Sequence, residues 1–192
     1  EAGSTFTSTT FALGVALGRN EVHALLDAPN SSCFLSGLYR TAGAQRIDNH
    51  INVDHAKPHT TSRVYYKGIL DGNSKAVFSG RVVVQRDAQK ADAKQHDKNL
   101  ILSAGAEVYT KPSLEIFADD VKCYHGATAG DVDENALFYL RTRGLDRKAA
   151  TNLLIRGFAR EIVDAVQPEP LRAYLDRLFS GELPNFDVGE TL

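Results

Sequence analysis

Hydrophobic and polar residues alternate along the first two thirds of the chain. The segments Thr5–Val15, Glu21–Asp27, Ser32–Arg40, Arg46–Val53, Ser62–Leu70, Ala76–Gln85 and Asn99–Ser103 are short and rich in Val, Ile, Phe, Tyr and Thr. A period of two in β-branched and aromatic residues marks strands whose two faces meet different surroundings. Turn-forming clusters separate them at Gly18–Asn20, Ala28–Asn30 and Asp71–Asn73. The run RDAQKADAKQHDKN, from Arg86 to Asn99, lacks that alternation. It is expected to form a short helix or a polar loop.

The period changes after Gly130. Asp131 and Glu134 stand at capping-box spacing, with Asp131 as the expected N-cap. A helix then runs over Glu134–Arg143, and Gly144 stops it. Asp146 can cap a second helix reaching about Val166. Its apolar positions are Ala150, Leu154, Phe158, Ile162 and Val166, with Leu153 and Ala165 beside them. Pro168 and Pro170 end it. A third helix over Leu171–Phe179 places Leu171, Tyr174, Leu175, Leu178 and Phe179 on one face. Ser180–Leu192 is expected to be loose. Two domains follow: a β core over 1–128 and a helical domain over 129–192.

A weak repeat suggests how the strands stack. NSSCFLSG (Asn30–Gly37) and NSKAVFSG (Asn73–Gly80) match at both ends, 43 positions apart, and Gly14 precedes Gly37 by 23. Both offsets fit a coil of about 20–25 residues. A parallel β-helix repeats in this way because each coil lays its strands on those of the coil before.

Composition narrows the function without naming it. The chain has 192 residues, 43% hydrophobic and 24% charged, with a net charge of −2. That is an ordinary globular balance. It gives no reason to expect nucleic acid or an anionic membrane as partner, and no apolar run reaches transmembrane length. The N-terminus has no basic start and no continuous apolar stretch, so it does not read as a signal peptide. There is no Met, which suggests a chain cut from something longer. Two cysteines, Cys33 and Cys123, allow one disulfide but no disulfide framework, and a reducing cytoplasm is the expected compartment.

The candidate chemistry lies at Cys123 and His125. Residues i and i+2 of a strand share a face, so a thiol and an imidazole would project side by side. Such a pair suits iron, zinc or sulfur chemistry. A buried Cys in a strand is also ordinary core. A second cluster is His50, His55 and His59, with Asp48 and Asp54 nearby. It could serve a stand-alone cupin-like metalloenzyme, or be satisfied locally on loops and strand surfaces. His96 sits in a polar run and is expected to be solvated. Gly126–Gly130 reads as a tight strand-to-helix connection and lacks the Lys and Ser/Thr of a phosphate-binding loop. No nucleophile-elbow signature is present.

Several segments together resemble one family. PSLEIFADDVKC, KCYHGAT and LFYLRTRG, with AQKADAKQHDKNLILS (Ala88–Ser103) and HAKPHTTS (His55–Ser62) upstream, are similar to the C-terminal part of the SufB/SufD family of the SUF iron–sulfur assembly system. Gly126 stands where SufB usually carries an acidic residue, so the SufD branch is the better match. The resemblance implies a mainly β chain: the later coils of a right-handed parallel β-helix, then a small α-helical domain. A complete family member would carry a helical N-terminal region and earlier strands. The resemblance also implies a non-catalytic scaffold subunit that pairs with SufB through β-helix strands. Its helical tail would dock the SufC ATPase. Cys123 and His125 would contact iron or a transient Fe–S cluster beside the SufB junction, with no cofactor held tightly in isolation. Tyr124 departs from the smaller polar residue often found between that pair. The exposed end of a shortened stack could also drive homodimerisation.

Overall fold

The computed structural model describes residues 1–181, with side chains up to residue 178. Nine strands precede three helices. They are β1 (Thr5–Leu13), β2 (Leu17–Leu26), β3 (Ser32–Thr41), β4 (Arg46–His55), β5 (Thr61–Leu70), β6 (Lys75–Val84), β7 (Asp92–Ile101), β8 (Glu107–Ile116) and β9 (Lys122–Gly130). Odd strands form one sheet in the order β1-β3-β5-β7-β9 and even strands a second, β2-β4-β6-β8. Every pairing is parallel. The chain therefore alternates between two sheets and winds a parallel β-solenoid of about four turns.

Each coil spans 27 to 32 residues, as in Thr5 on Ser32, Ser32 on Thr61 and Lys75 on Glu107. The expected 20–25 is too short. Each coil contains two strands and two turns, so a motif can recur after one and a half coils. Asn30 and Asn73 open turns that lead into β3 of one sheet and β6 of the other.

The true period is written in the turns. Gly14, Gly43 and Gly72 are 29 apart and all have positive φ, at 71°, 58° and 69°. On the other side of the stack Gly3, Asn30, His59 and Lys90 repeat the left-handed conformation. Each donates its backbone N–H to the turn of the next coil: Gly3 to Pro29, Asn30 to Pro58, His59 to Gln89 and Lys90 to Asp120. Glycine and the short polar residues Asn and His accept this conformation more readily than most. The turn expected at Gly18–Asn20 falls inside β2, and the chain reverses at Gly14 instead.

The core lies between the sheets. Alternate residues of each strand point inward, including Leu35, Ile47, Ile51, Val53, Val64, Tyr66, Phe78, Val82 and Val84. Tyr66 and Phe78 meet across the lumen with ring centroids 5.5 Å apart. The segment expected as helix or loop supplies β7, because its strand is polar on both faces. Lys94, His96 and Lys98 point outward, and Gln95, Asp97 and Asn99 point into the stack, where all three are buried.

A separate unit begins at Asp131. It contains α1 (Glu134–Thr142), α2 (Arg147–Val163) and α3 (Glu169–Gly181). Asp133, not Asp131, caps α1, accepting from the Asn135 and Ala136 amides, and Asp146 caps α2 as expected. Gly144 ends α1 at φ 93°. The face of α2 that is buried carries Ala150, Thr151, Ile155, Ala159, Ile162 and Val163. It is rotated from the expected Leu154–Phe158 line. Pro170 does not close α2; it sits in the first turn of α3, where a missing N–H costs nothing. Arg147–Glu134 (3.2 Å) ties α1 to α2, and Arg156–Asp176 (2.6 Å) ties α2 to α3. Ser180–Leu192, expected to be loose, lies largely outside the described residues.

The turn ladder should be measurable. A Cβ on Gly72 would fall 2.8 Å from the Gly43 backbone N, whereas one on Gly14 meets nothing within 4 Å. Gly14→Ala is expected to cost only the left-handed penalty of about 1 kcal/mol. Gly72→Ala should cost clearly more, about 2–4 kcal/mol, read from urea unfolding midpoints. Equal costs would show that the glycines do not pack as a ladder.

Candidate functional site

The terminal coil places the predicted pair. β9 is the edge strand of the odd sheet, bonded to β7 on one side only. Cys123 pairs with Ala93 and His125 with Gln95. Both partners point inward and are fully buried. Cys123 and His125 therefore point to the inner side too. No further strand lies over them among the described residues, so Cys123 is half-buried and His125 exposed. Tyr124 faces the opposite way and stacks on His96, centroids 5.0 Å apart.

The thiol is not activated in this state. Burial pushes the Cys123 pKa up and the Asp92 charge adds to it, against a backbone hydrogen bond at Ala93 that lowers it. At neutral pH Cys123 is a thiol, and a metal must displace its proton to gain a thiolate. Cys33 occupies the same inward row through Ser62 and Ala93. Three strand spacings, roughly 14 Å, separate the two cysteines. Both are free, and an internal disulfide is out of reach.

The histidine cluster does not assemble. His50 and His55 are five apart on β4 and point to opposite faces of the sheet. His55 is buried, hydrogen-bonded through both ring nitrogens to Thr60 and Ser62 at 2.8 Å. Burial lowers its pKa to about 4, so it is a neutral core residue. His59 holds an exposed left-handed turn position. Among the described residues no three His, Cys, Asp or Glu side chains could hold a metal ion together. The structure thus gives no site for the cupin-like alternative.

Sequence reasoning missed the polar layer of β7, directly behind the terminal strand. Tyr39 donates to Asn99 at 2.5 Å, and Asn99 donates to Asp97 at 2.7 Å. The Asp97 carboxyl is buried, and one oxygen, Oδ1, has no hydrogen-bond partner. Burial raises its pKa to about 6, against the Asn99 hydrogen bond and the nearby Thr110 hydroxyl, which lower it. Its signal in the sequence was the polar alternation Gln95, Asp97, Asn99. That was hidden by the equally polar outward residues between them.

Parallel coils of two sheets, an edge strand with an inward Cys and His, and a helical unit after it in the chain define a class: parallel β-solenoids followed by a small helical unit. The chain belongs to the SUF-system FeS cluster assembly family, matching its SufBD core domain over residues 1–158. It is 36% identical over 181 residues to the iron-sulfur cluster assembly protein SufD of Escherichia coli K12, covering 94% of this chain and 43% of that protein. It is 39% identical over 166 residues to a SufBD family protein of Synechocystis, slr0076, covering 86% of this chain and 36% of that protein. The chloroplastic protein ABCI7 of Arabidopsis thaliana is 36% identical over 173 residues, covering 90% and 36%. The chain thus spans less than half the length of these relatives. No helix among the described residues is long and apolar enough to cross a membrane.

The buried carboxyl gives a signed pH dependence. The folded pKa of Asp97 is raised from 3.8 to about 6. Its contribution to stability is complete below pH 3.8 and is lost as pH rises through about 6. Asp97→Asn should therefore stabilise the fold at pH 7.5 by on the order of 2 kcal/mol. The gain over wild type should vanish near pH 4. Urea midpoints at the two pH values check this, and a destabilised variant at pH 7.5 would refute it.

Proposed function

We propose that this chain acts as a non-catalytic scaffold subunit in SUF iron–sulfur cluster assembly, working in the cytoplasm. The observation that carries the proposal is the terminal coil. Its last strand has one hydrogen-bonding edge without a strand partner among the described residues, and it carries Cys123 and His125 on its inward side. An open parallel edge is a template for another strand. A SufB subunit adding its own strand there would bring further ligands to the exposed His125 and half-buried Cys123. Two ligands on one chain are too few to keep a cluster, so the cluster is cargo held at the junction. His125 is the better first contact for iron, because the Cys123 thiol must first lose its proton.

The helical unit would dock the SufC ATPase. Its support is apolar exposure: Phe138 is 68% exposed, Tyr139 56% and Tyr174 55%, with Leu153 and Leu171 also outside. Aromatic and Leu residues left in water at this density favour a protein partner.

The test is anaerobic Fe–S reconstitution on the complex co-expressed with SufB and SufC. His125→Ala is expected to lose most of the cluster, about tenfold, while the complex still assembles. Cys123→Ser should lose less. Normal yield in both variants would remove the site assignment, and failure to co-purify with SufB and SufC would remove the scaffold assignment.

A further inference from the structure

The terminal strand β9 has two halves of different make. Its first half is anchored: Cys123 packs with Val121 against the core, and Tyr124 stacks on His96. Its second half, residues 126–130, reads GATAG. No side chain there is larger than Thr, and Ala127, Thr128, Ala129 and Gly130 are all exposed. Gly and Ala are depleted from strands because they give a pleated surface little to pack. Parallel pairing to β7 holds this half on one edge, and no strand holds the other among the described residues.

What the half-strand covers is polar. Ala127 lies in register with Asp97 and Ala129 with Asn99, and both partners are buried. One Asp97 oxygen accepts from Asn99, and the other, Oδ1, has no partner. The groups around the carboxyl are Gln95 and Asn99 on its own strand, Tyr66 on β5 and Ala127 on β9 by register, and Thr110 on β8. None of these is a cation. Covering a carboxylate without a counter-charge is costly, and that cost disappears once water reaches Oδ1. The edge strand at the other end of the sheet makes the contrast. β1 lies over Cys33, Leu35 and Tyr39, an inward row with no carboxylate, so lifting it would expose mainly apolar surface.

We propose that residues 126–130 form a strap that lifts from β7 about a hinge at Gly126 while the fold stays native, letting water reach the Asp97 carboxylate. Closed, the strap gains strand pairing on a single edge. Open, its amides and the carboxylate are hydrated. The two states are close in free energy, because exchanging backbone hydrogen bonds for water costs little net and the strap gives up almost no apolar burial. Native-state openings concentrate where buried apolar contacts are few. Glycine supplies the backbone freedom that a hinge needs. Cys123 stays anchored through the opening, while the lumen beside His125 widens. The device belongs to this chain alone and stands apart from the scaffold assignment.

Amide hydrogen exchange of the full chain at pH 7.5 tests this, with wild type compared to Asp97→Asn. The substitution keeps the shape of the side chain and removes its charge, and with it the gain from hydration. Exchange of the amides in residues 126–130 is expected to slow at least about tenfold in Asp97→Asn, while the amides of β1 keep their wild-type rates. Unchanged rates in the strap, with slowing confined to the slowest core amides, would mean that the carboxylate meets water only on global unfolding, and would overturn the proposal. Equal slowing in β1 would overturn it too, by making the effect one of overall stability.

Discussion

A parallel strand must find partners on both edges, and a solenoid supplies them for every strand but the first and last of each sheet. This constraint shapes the chain. It fixes each residue opposite one 27 to 32 positions on, and it forces each turn to reverse the chain on top of the turn before. The left-handed positions at Gly14, Gly43 and Gly72 follow from that stacking. It also decides where chemistry is possible. Inward side chains are sealed in the middle coils, while those of the terminal coil remain accessible. Cys33 and Cys123 lie in the same inward row. Cys33 is sealed, and Cys123 is reachable, because of coil number alone.

The same logic separates the histidines. His55 is in a middle coil and is consumed by Thr60 and Ser62. His59 is needed for a turn, and His96, expected in solvent, lies against Tyr65 and Tyr124. Only His125 is inward, terminal and exposed. Residue type did not distinguish these roles; position in the stack did.

Most strands and the Asp146 cap of α2 were legible from the sequence, because alternation and capping are local signals, whereas the cap of α1 is Asp133 and not the expected Asp131. Asp146 before an apolar-periodic run is an example. What was not legible depended on neighbours distant in sequence. A coil of 20–25 is too short because the 43-residue offset between Asn30 and Asn73 is one and a half true coils and resembles two short ones. The 29-residue glycine spacing was present but is sparse. β7 was unreadable by polarity, since its inward side carries Gln95, Asp97 and Asn99. A strand polar on both faces has the composition of a loop, and only pairing with β5 and β9 holds it extended. The pair at Cys123 and His125 was visible because i, i+2 spacing survives any coil length. Its accessibility was not, since that depends on β9 being an edge.

The polar character of β7 links the two sides of the terminal coils. Its inward Asp97 is buried at a desolvation cost, with one oxygen unpaired. Its outward Lys94 and Lys98 lie opposite Arg63 and Lys67 in the β5 register, and Asp92 pairs with Arg63. The buried carboxyl lowers stability at neutral pH, and packing does not require it. A hydrophobic Val at position 97 and a Thr at position 98 would satisfy the same strand geometry. A strand polar on its inward face, next to the edge strand carrying the candidate metal contacts, is held extended by its pairing on both edges. Departures from local consistency concentrate where a chain works. Here they fall on one strand, the last one closed on both edges.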